Sequence, residues 1–155
     1  MDADGSGDVR ASAVAALSDV EVVVIDVMNV IGSRPDGWWR DRPAAVRRLI
    51  TQLRALADHL DVDVVAVVDG RPVDDVPEGA HGSLMVRYAA RRGPDAADDR
   101  IVEALAARRE RDVAERVAVV TADRELRARV GVLGAVSNGP RRLLSAIDAC
   151  TTWDA

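Results

Sequence analysis

Runs of apolar residues along the chain predict five β-strands. Residues 21–26, 63–69 and 117–121 are rich in β-branched side chains with no polar alternation, which is typical of parallel strands buried on both faces. Shorter apolar runs at 83–89 and 134–137 predict two further strands. The first two runs end in Asp, and the fourth strand along the chain is followed closely by Asp123.

Helical spacing of apolar residues separates these strands. The pattern predicts an amphipathic helix over 44–60, a second from residue 95 to the charged run near 110, and short helices over 125–130 and 140–147. Strands that alternate with helices favour an α/β fold, in which a mostly parallel central sheet is covered on both faces. We therefore expect a three-layer α/β/α sandwich, whose ligands bind at the carboxyl ends of the strands.

The 155 residues suit one domain, which we place at 20–149 between a flexible N-terminal tail (1–19) and a C-terminal tail (150–155). The first ten residues are acidic and Gly-rich, unlike a signal peptide, and no apolar run is long enough to span a membrane. With one cysteine, Cys150, no disulfide can form within the chain. We expect a cytoplasmic protein without membrane contact.

Composition excludes several classes of chemistry. All 21 basic residues are Arg, so the chain has no lysine for a Walker phosphate loop or a Schiff base. Two histidines and one cysteine cannot supply four nitrogen or sulfur ligands to zinc. The net charge of −5 provides no uniform basic field, so contact with a polyanion must depend on local clusters of Arg.

Carboxylates at the strand ends are the candidate chemistry. Asp26, Asp69 and Asp123 would converge on one edge of the sheet, where burial and mutual repulsion favour a bound divalent cation. Oxygen ligands of this kind suit Mg²⁺ or Mn²⁺. Asp98, in the first turn of a predicted helix, is a fourth candidate, and Asn29 adds a neutral amide.

Structural roles explain the same residues without chemistry. An Asp at the end of a strand is common in turns, and Asn29 also suits a turn. Asp95 and Asp98 have the spacing of an N-cap and the third residue of a helix, and Asp123 has the position of a cap for the helix over 125–130. Only the convergence of several carboxylates favours a metal site over these alternatives.

Four segments in this order and spacing resemble the NYN domain family, and within it the YacP-like proteins, which are relatives of the PIN-domain nucleases. The resemblance extends over about residues 21–148. The segments are Asp26-Val-Met-Asn29, Val-Val-Asp69-Gly, Gly-Pro-Asp-Ala-Ala-Asp98 and Val-Val-Thr121-Ala-Asp123.

The resemblance implies a PIN-like fold and a metal-dependent ribonuclease with Mg²⁺ or Mn²⁺ as cofactor. An endoribonuclease is the leading hypothesis, and the sequence leaves an exonucleolytic mode open. The resemblance carries the acidic cluster over to Asp26, Asp69, Asp98 and Asp123. Asn29 and Thr121 are the corresponding positioning residues. Hydrolysis of a phosphodiester by activated water needs no covalent nucleophile, so the absence of lysine is compatible with this activity.

Arginines and two tryptophans in the loops around the strand ends are candidates for binding single-stranded or structured RNA. They are Arg34, Trp38, Trp39, Arg40, Arg71, Arg91 and Arg92. The alternative for each Trp is a hydrophobic anchor that closes its loop onto the core.

Three other functions stay open at this point: a toxin-type PIN ribonuclease held by an antitoxin, a catalytically silent RNA-binding or scaffold module, and a hydrolase of nucleotides or other small phosphoesters. The sequence also leaves open a homo-oligomer or a protein partner.

Overall fold

A six-stranded sheet forms the centre of the molecule. The computed structural model describes residues 14, 15, 17–89 and 96–153, and side chains as far as residue 150. The strands are β1 (Val22–Asp26), β2 (Asp63–Val68), β3 (Gly79–His81), β4 (Leu84–Tyr88), β5 (Val117–Val120) and β6 (Val136–Asn138). Their order across the sheet is β3-β4-β2-β1-β5-β6, and every pairing is parallel except that of β3 with β4.

Four of the α-helices that the structure describes lie between strands, and a fifth follows β6. They are α1 (Val27–Gly32), α2 (Arg42–Leu60), α3 (Ala96–Arg111), α4 (Arg124–Val132) and α5 (Pro140–Trp153), and a 3₁₀ turn covers Trp38–Arg40. Asp41 begins α2 by accepting a hydrogen bond from the backbone N–H of Ala44 (3.1 Å), and Pro43 lies in the first turn, where its missing N–H costs nothing.

The two faces of the sheet bury separate hydrophobic clusters. In β1, Val23 and Ile25 pack with α1, α2 and α5 on one face, whereas Val22 and Val24 pack with α3 and α4 on the other. This alternation of successive side chains explains why the central strands are apolar throughout. The predicted α/β/α sandwich with a mostly parallel sheet is therefore confirmed.

Short elements and helix ends differ from the prediction. Helix α1 and strand β3 were not predicted, because six and three residues are too few to establish a period and β3 (Gly-Ala-His) has no β-branched residue. Helix α5 continues to Trp153, so that Cys150 is buried in the core rather than placed in a tail. Before β1, Leu17 is fully buried in the same cluster.

None of the helices that the structure describes is both long and apolar enough to cross a bilayer.

Candidate active site

The carboxyl ends of β1, β2 and β5 lie side by side at one edge of the sheet. Asp26 is the last residue of β1, and it is followed directly by α1, while Asp69 and Thr121 follow the last residues of β2 and β5. The chain runs outward from β1 through β2 to β4, and then returns to the other side of β1 to form β5 and β6. The crevice between β1 and β5 is thus the point where strand order reverses, the usual ligand site of such sheets.

Asp26 is the buried carboxylate of this edge, with only 6% of its surface exposed. Burial raises the pKa of Asp26 above its ordinary value, and the charges of Asp123 and Asp69 raise that pKa further. A hydrogen bond from the Thr121 hydroxyl to Asp26 Oδ2 (2.9 Å) opposes the rise in pKa. A cation at this position would favour the ionised carboxylate, which burial and the neighbouring acids disfavour.

A hydrogen-bond network fixes the segment that follows β5. The Thr121 hydroxyl accepts a hydrogen bond from the backbone N–H of Asp123 (3.1 Å), while the side-chain oxygen of Asn29 accepts one from the N–H of Ala122 (2.8 Å). Thr121 is fully buried, so both of its contacts are shielded from water. Thr121 and Asn29 therefore join β5 to β1 and α1 at the place where the sequence predicts positioning residues.

Asp123 has the structural role that the sequence offered as an alternative. Its Oδ1 accepts a hydrogen bond from the N–H of Leu126 (2.9 Å), which caps α4. The cap uses one carboxylate oxygen and orients the side chain beside Asp26, whose pKa it affects. Capping and a contribution to a metal site are therefore compatible in this residue.

Arg42 holds the loop that carries Asp69, a contact that the sequence analysis missed. From the first residue of α2, its Nη2 donates to the backbone oxygen of Asp69 (2.5 Å) and its Nη1 to that of Arg71 (3.0 Å). Gly70, between them, has a φ of +100°, and a Cβ built on it would lie 2.7 Å from Nη2. Gly70 thus provides both the backbone conformation and the space that the guanidinium occupies.

The carboxylates do not form a closed cage of ligands. Within the part of the chain that the structure describes, one group of three acidic side chains has its oxygens all within 4.8 Å of one another, and it consists of Glu21, Asp112 and Glu115. Asp26, Asp69 and Asp123 are therefore neighbours at a wider spacing. A hydrated divalent cation that keeps several water ligands takes only one or two carboxylates directly, so it does not require a closed cage.

The group of Glu21, Asp112 and Glu115 lies at the opposite edge of the sheet, before β1 and β5, where the sequence predicts no site. Arg108 pairs with both oxygens of Glu115 (2.8 and 3.1 Å), and the backbone N–H of Arg116 donates to Glu21 (3.2 Å). These partners give the group a structural explanation, so we assign no ion to it.

Asp98 lies in the first turn of α3, where it is half-buried. The residues that most affect the pKa of Asp26 are Thr121, Asp123, Asn29 and Asp69. The assignment of Asp98 to the acidic cluster thus stays a prediction.

The two tryptophans have different environments. Trp38 packs against the hydrophobic core, as an anchor would, whereas Trp39 is 60% exposed. Their rings meet edge to face, with centroids 6.1 Å apart. Of the predicted RNA-binding arginines, Arg34 is half-buried and Arg40 and Arg71 are exposed, while Arg91 and Arg92 lie outside the described residues.

Comparison with known proteins is consistent with this geometry. Residues 23–152 match the sequence model of the YacP-like NYN domain. Crystal structures of Rae1 (YacP) from Bacillus subtilis are similar in fold, at 19% sequence identity. One of them superimposes with a TM-score of 0.70 over 84% of this chain and 75% of the other, and a tryptophan-to-leucine variant with 0.68 over 85% and 77%. None of the curated proteins matches the chain significantly.

Proposed function

Because the chain belongs to the YacP-like NYN domain family, whose members are PIN-like nucleases, we propose that it is a metal-dependent endoribonuclease. The observation that carries the proposal is the buried Asp26 at the reversal of strand order, with Asp69 and Asp123 close enough to raise its pKa. A buried carboxylate among like charges is costly without a cation, and an oxygen-only set of ligands suits Mg²⁺ or Mn²⁺.

In this proposal Asp26 binds the cation directly. Asp69, Asp123 and Asp98, which lie on different segments of the chain, bind the cation or its water ligands. When bound, Mg²⁺ or Mn²⁺ would activate a water molecule and neutralise negative charge on the leaving oxygen. The Thr121 hydroxyl holds Oδ2 of Asp26 in place, so that the carboxylate keeps one orientation. The cap on α4 does the same for Asp123.

RNA would enter over the loops that surround this edge. Arg40 and Arg71 are exposed there and can pair with phosphates, which offsets the repulsion between the acidic edge and the RNA backbone. The exposed ring of Trp39 offers a stacking surface for an unpaired base. This combination favours single-stranded or partly structured RNA over a regular duplex.

Metal dependence of RNA cleavage is the direct test. We expect the purified protein to cleave a labelled, partly structured RNA with Mn²⁺ or Mg²⁺, to lose cleavage in EDTA, and to recover it when the ion is restored. Asp26→Asn is tested in parallel to exclude a contaminating nuclease. Asp58→Asn, an exposed residue in the last turn of α2, is the matched control and should cleave like the wild type.

The alternatives predict other outcomes of the same experiment. A silent RNA-binding module would bind the RNA without cleaving it under any ion. A hydrolase of small phosphoesters would turn over nucleotides and leave the RNA intact. Either result would contradict the proposed endoribonuclease.

Replacement of Trp39 by Ala is expected to weaken RNA binding and to leave the rate at saturating RNA unchanged. Stacking of one base on an aromatic ring contributes about 1–3 kcal/mol, so we expect affinity to fall roughly 5- to 150-fold. Single-turnover cleavage over a range of RNA concentrations measures the two effects separately. Trp39→Phe keeps an aromatic surface and should recover part of the affinity. Equal affinities of wild type and Trp39→Ala would remove Trp39 from the RNA-binding surface.

A further inference from the structure

A cavity of about 570 Å³ lies between α3 and the face of the sheet formed by β2 and β4. Its volume is within the range of small-molecule sites in proteins. Val24, Val65 and Val67 form its apolar floor, together with Met85. None of the acidic residues of the candidate active site lines it, although Val67 in its floor is the register partner of Asp26.

Arginines are concentrated in the walls of the cavity, although the protein as a whole carries −5. Four arginines outnumber two carboxylates, Asp63 and Glu103, among its lining residues. Three of the arginines, Arg100, Arg108 and Arg111, are on α3 above the sheet. Arg100 and Arg108 pair with Glu78 and Glu115, which do not line the cavity, so the attraction for an anionic ligand comes from the groups that these pairs leave free.

At one end of the cavity, two arginines have nitrogen atoms without a partner among the described residues. Arg87, on β4, has no carboxylate within 4 Å among the described residues. The Nε of Arg100 is buried without a hydrogen-bond partner, and its Nη2 is 3.7 Å from Glu78, beyond an ordinary charge-assisted hydrogen bond. At the other end, by contrast, Arg108 is already paired with Glu115.

From this arrangement we propose that the cavity binds a nucleoside monophosphate, with the phosphate at Arg87 and Arg100 and the base against the valine floor. The pleated surface of β-branched side chains suits the face of a flat ring, and guanidinium groups suit a phosphate. The residues of this proposed site differ from the acidic residues proposed for RNA cleavage.

Equilibrium binding of AMP, GMP, CMP and UMP to the full chain in EDTA tests this site. We expect saturable binding of at least one nucleotide with a Kd below about 1 mM. Arg87→Ala should weaken that binding roughly tenfold or more, because a charge-assisted contact is lost. The same change at Arg141, an exposed residue on α5, is the control and should have no effect.

A second variant tests the cavity without removing a charge. Ala107 is exposed on the α3 wall, so Ala107→Trp should leave the fold intact, as circular dichroism can verify, while its ring fills the space for the base. The affinity for the nucleotide should fall in this variant and stay unchanged in Asp26→Asn.

A ligand without the base provides a further comparison. Ribose 5-phosphate should bind more weakly than the nucleotide, because it lacks the base. Absence of saturation with all four nucleotides at about 10 mM, or binding unchanged in both Arg87→Ala and Ala107→Trp, would overturn the proposal.

Discussion

Asp26→Asn is expected to lower metal-dependent RNA cleavage by at least about a hundredfold and, at the same time, to stabilise the metal-free protein. Asn keeps an oxygen that can accept the hydrogen bond from Thr121, so the local geometry can persist. The variant loses the buried charge that Asp69 and Asp123 repel. Loss of function and gain of stability in one substitution would distinguish a metal site from a purely structural turn.

The pH dependence of stability provides a second measurement of the same residue. Because folding raises the pKa of Asp26, the ionised carboxylate costs stability in full above its folded pKa, and this cost disappears as pH falls below its ordinary pKa. In EDTA, the advantage of Asp26→Asn in melting temperature should therefore be largest near neutral pH and should shrink on acidification. Asp58→Asn, which removes an exposed charge, is the control for net charge.

The same melting experiments also measure metal binding. At an ion concentration a hundred times the Kd, binding to the folded state adds about 2.7 kcal/mol to the free energy of unfolding. Mn²⁺ should therefore raise the melting temperature of the wild type much more than that of Asp26→Asn. An equal rise in both proteins would place the ion elsewhere and would remove Asp26 from the metal site.

The sequence was sufficient to predict the sheet and the edge at which the carboxylates meet. Buried strands are uniformly apolar, so a polar residue at the end of each run is conspicuous, and parallel neighbours bring such residues together. Asp26 and Asp69 were identified in this way, although the sequences of the two strands do not indicate the distance between the two carboxylates. That distance depends on side-chain direction and on caps such as the one formed by Asp123, which a linear pattern does not specify.

The remaining features depend on contacts between distant segments. Arg42 reaches the backbone of Asp69, 27 residues away, and a side-chain contact with a carbonyl oxygen leaves no periodic signal. The different exposure of Trp38 and Trp39 likewise depends on how their 3₁₀ turn packs against the core. The sequence does not distinguish two adjacent identical residues. It could therefore supply only the same two alternatives for each Trp, a surface for stacking on RNA or a hydrophobic anchor for the loop.

Gly70→Ala is expected to destabilise the protein and to reduce RNA cleavage through the loop that carries Asp69. A non-glycine residue in a left-handed conformation costs about 1–2 kcal/mol, and the φ of +100° at Gly70 requires such a conformation. The new Cβ would also lie 2.7 Å from Nη2 of Arg42, so the guanidinium must shift from the position in which it holds two carbonyl oxygens. We expect cleavage to fall roughly tenfold, because Asp69 loses its fixed position.

Gly79→Ala is the matched control, because Gly79 has a φ of +123° and no atom within 4 Å of the Cβ position. Both substitutions impose backbone strain, but only Gly70→Ala displaces Arg42. Chemical denaturation should show a loss of stability in both variants, whereas the cleavage rate at saturating RNA should fall in Gly70→Ala alone. Arg42→Lys should also lower that rate, because an ammonium cannot hold both carbonyl oxygens with the geometry of a guanidinium. Equal rates in the two glycine variants would show that the contact of Arg42 stabilises the loop without positioning Asp69.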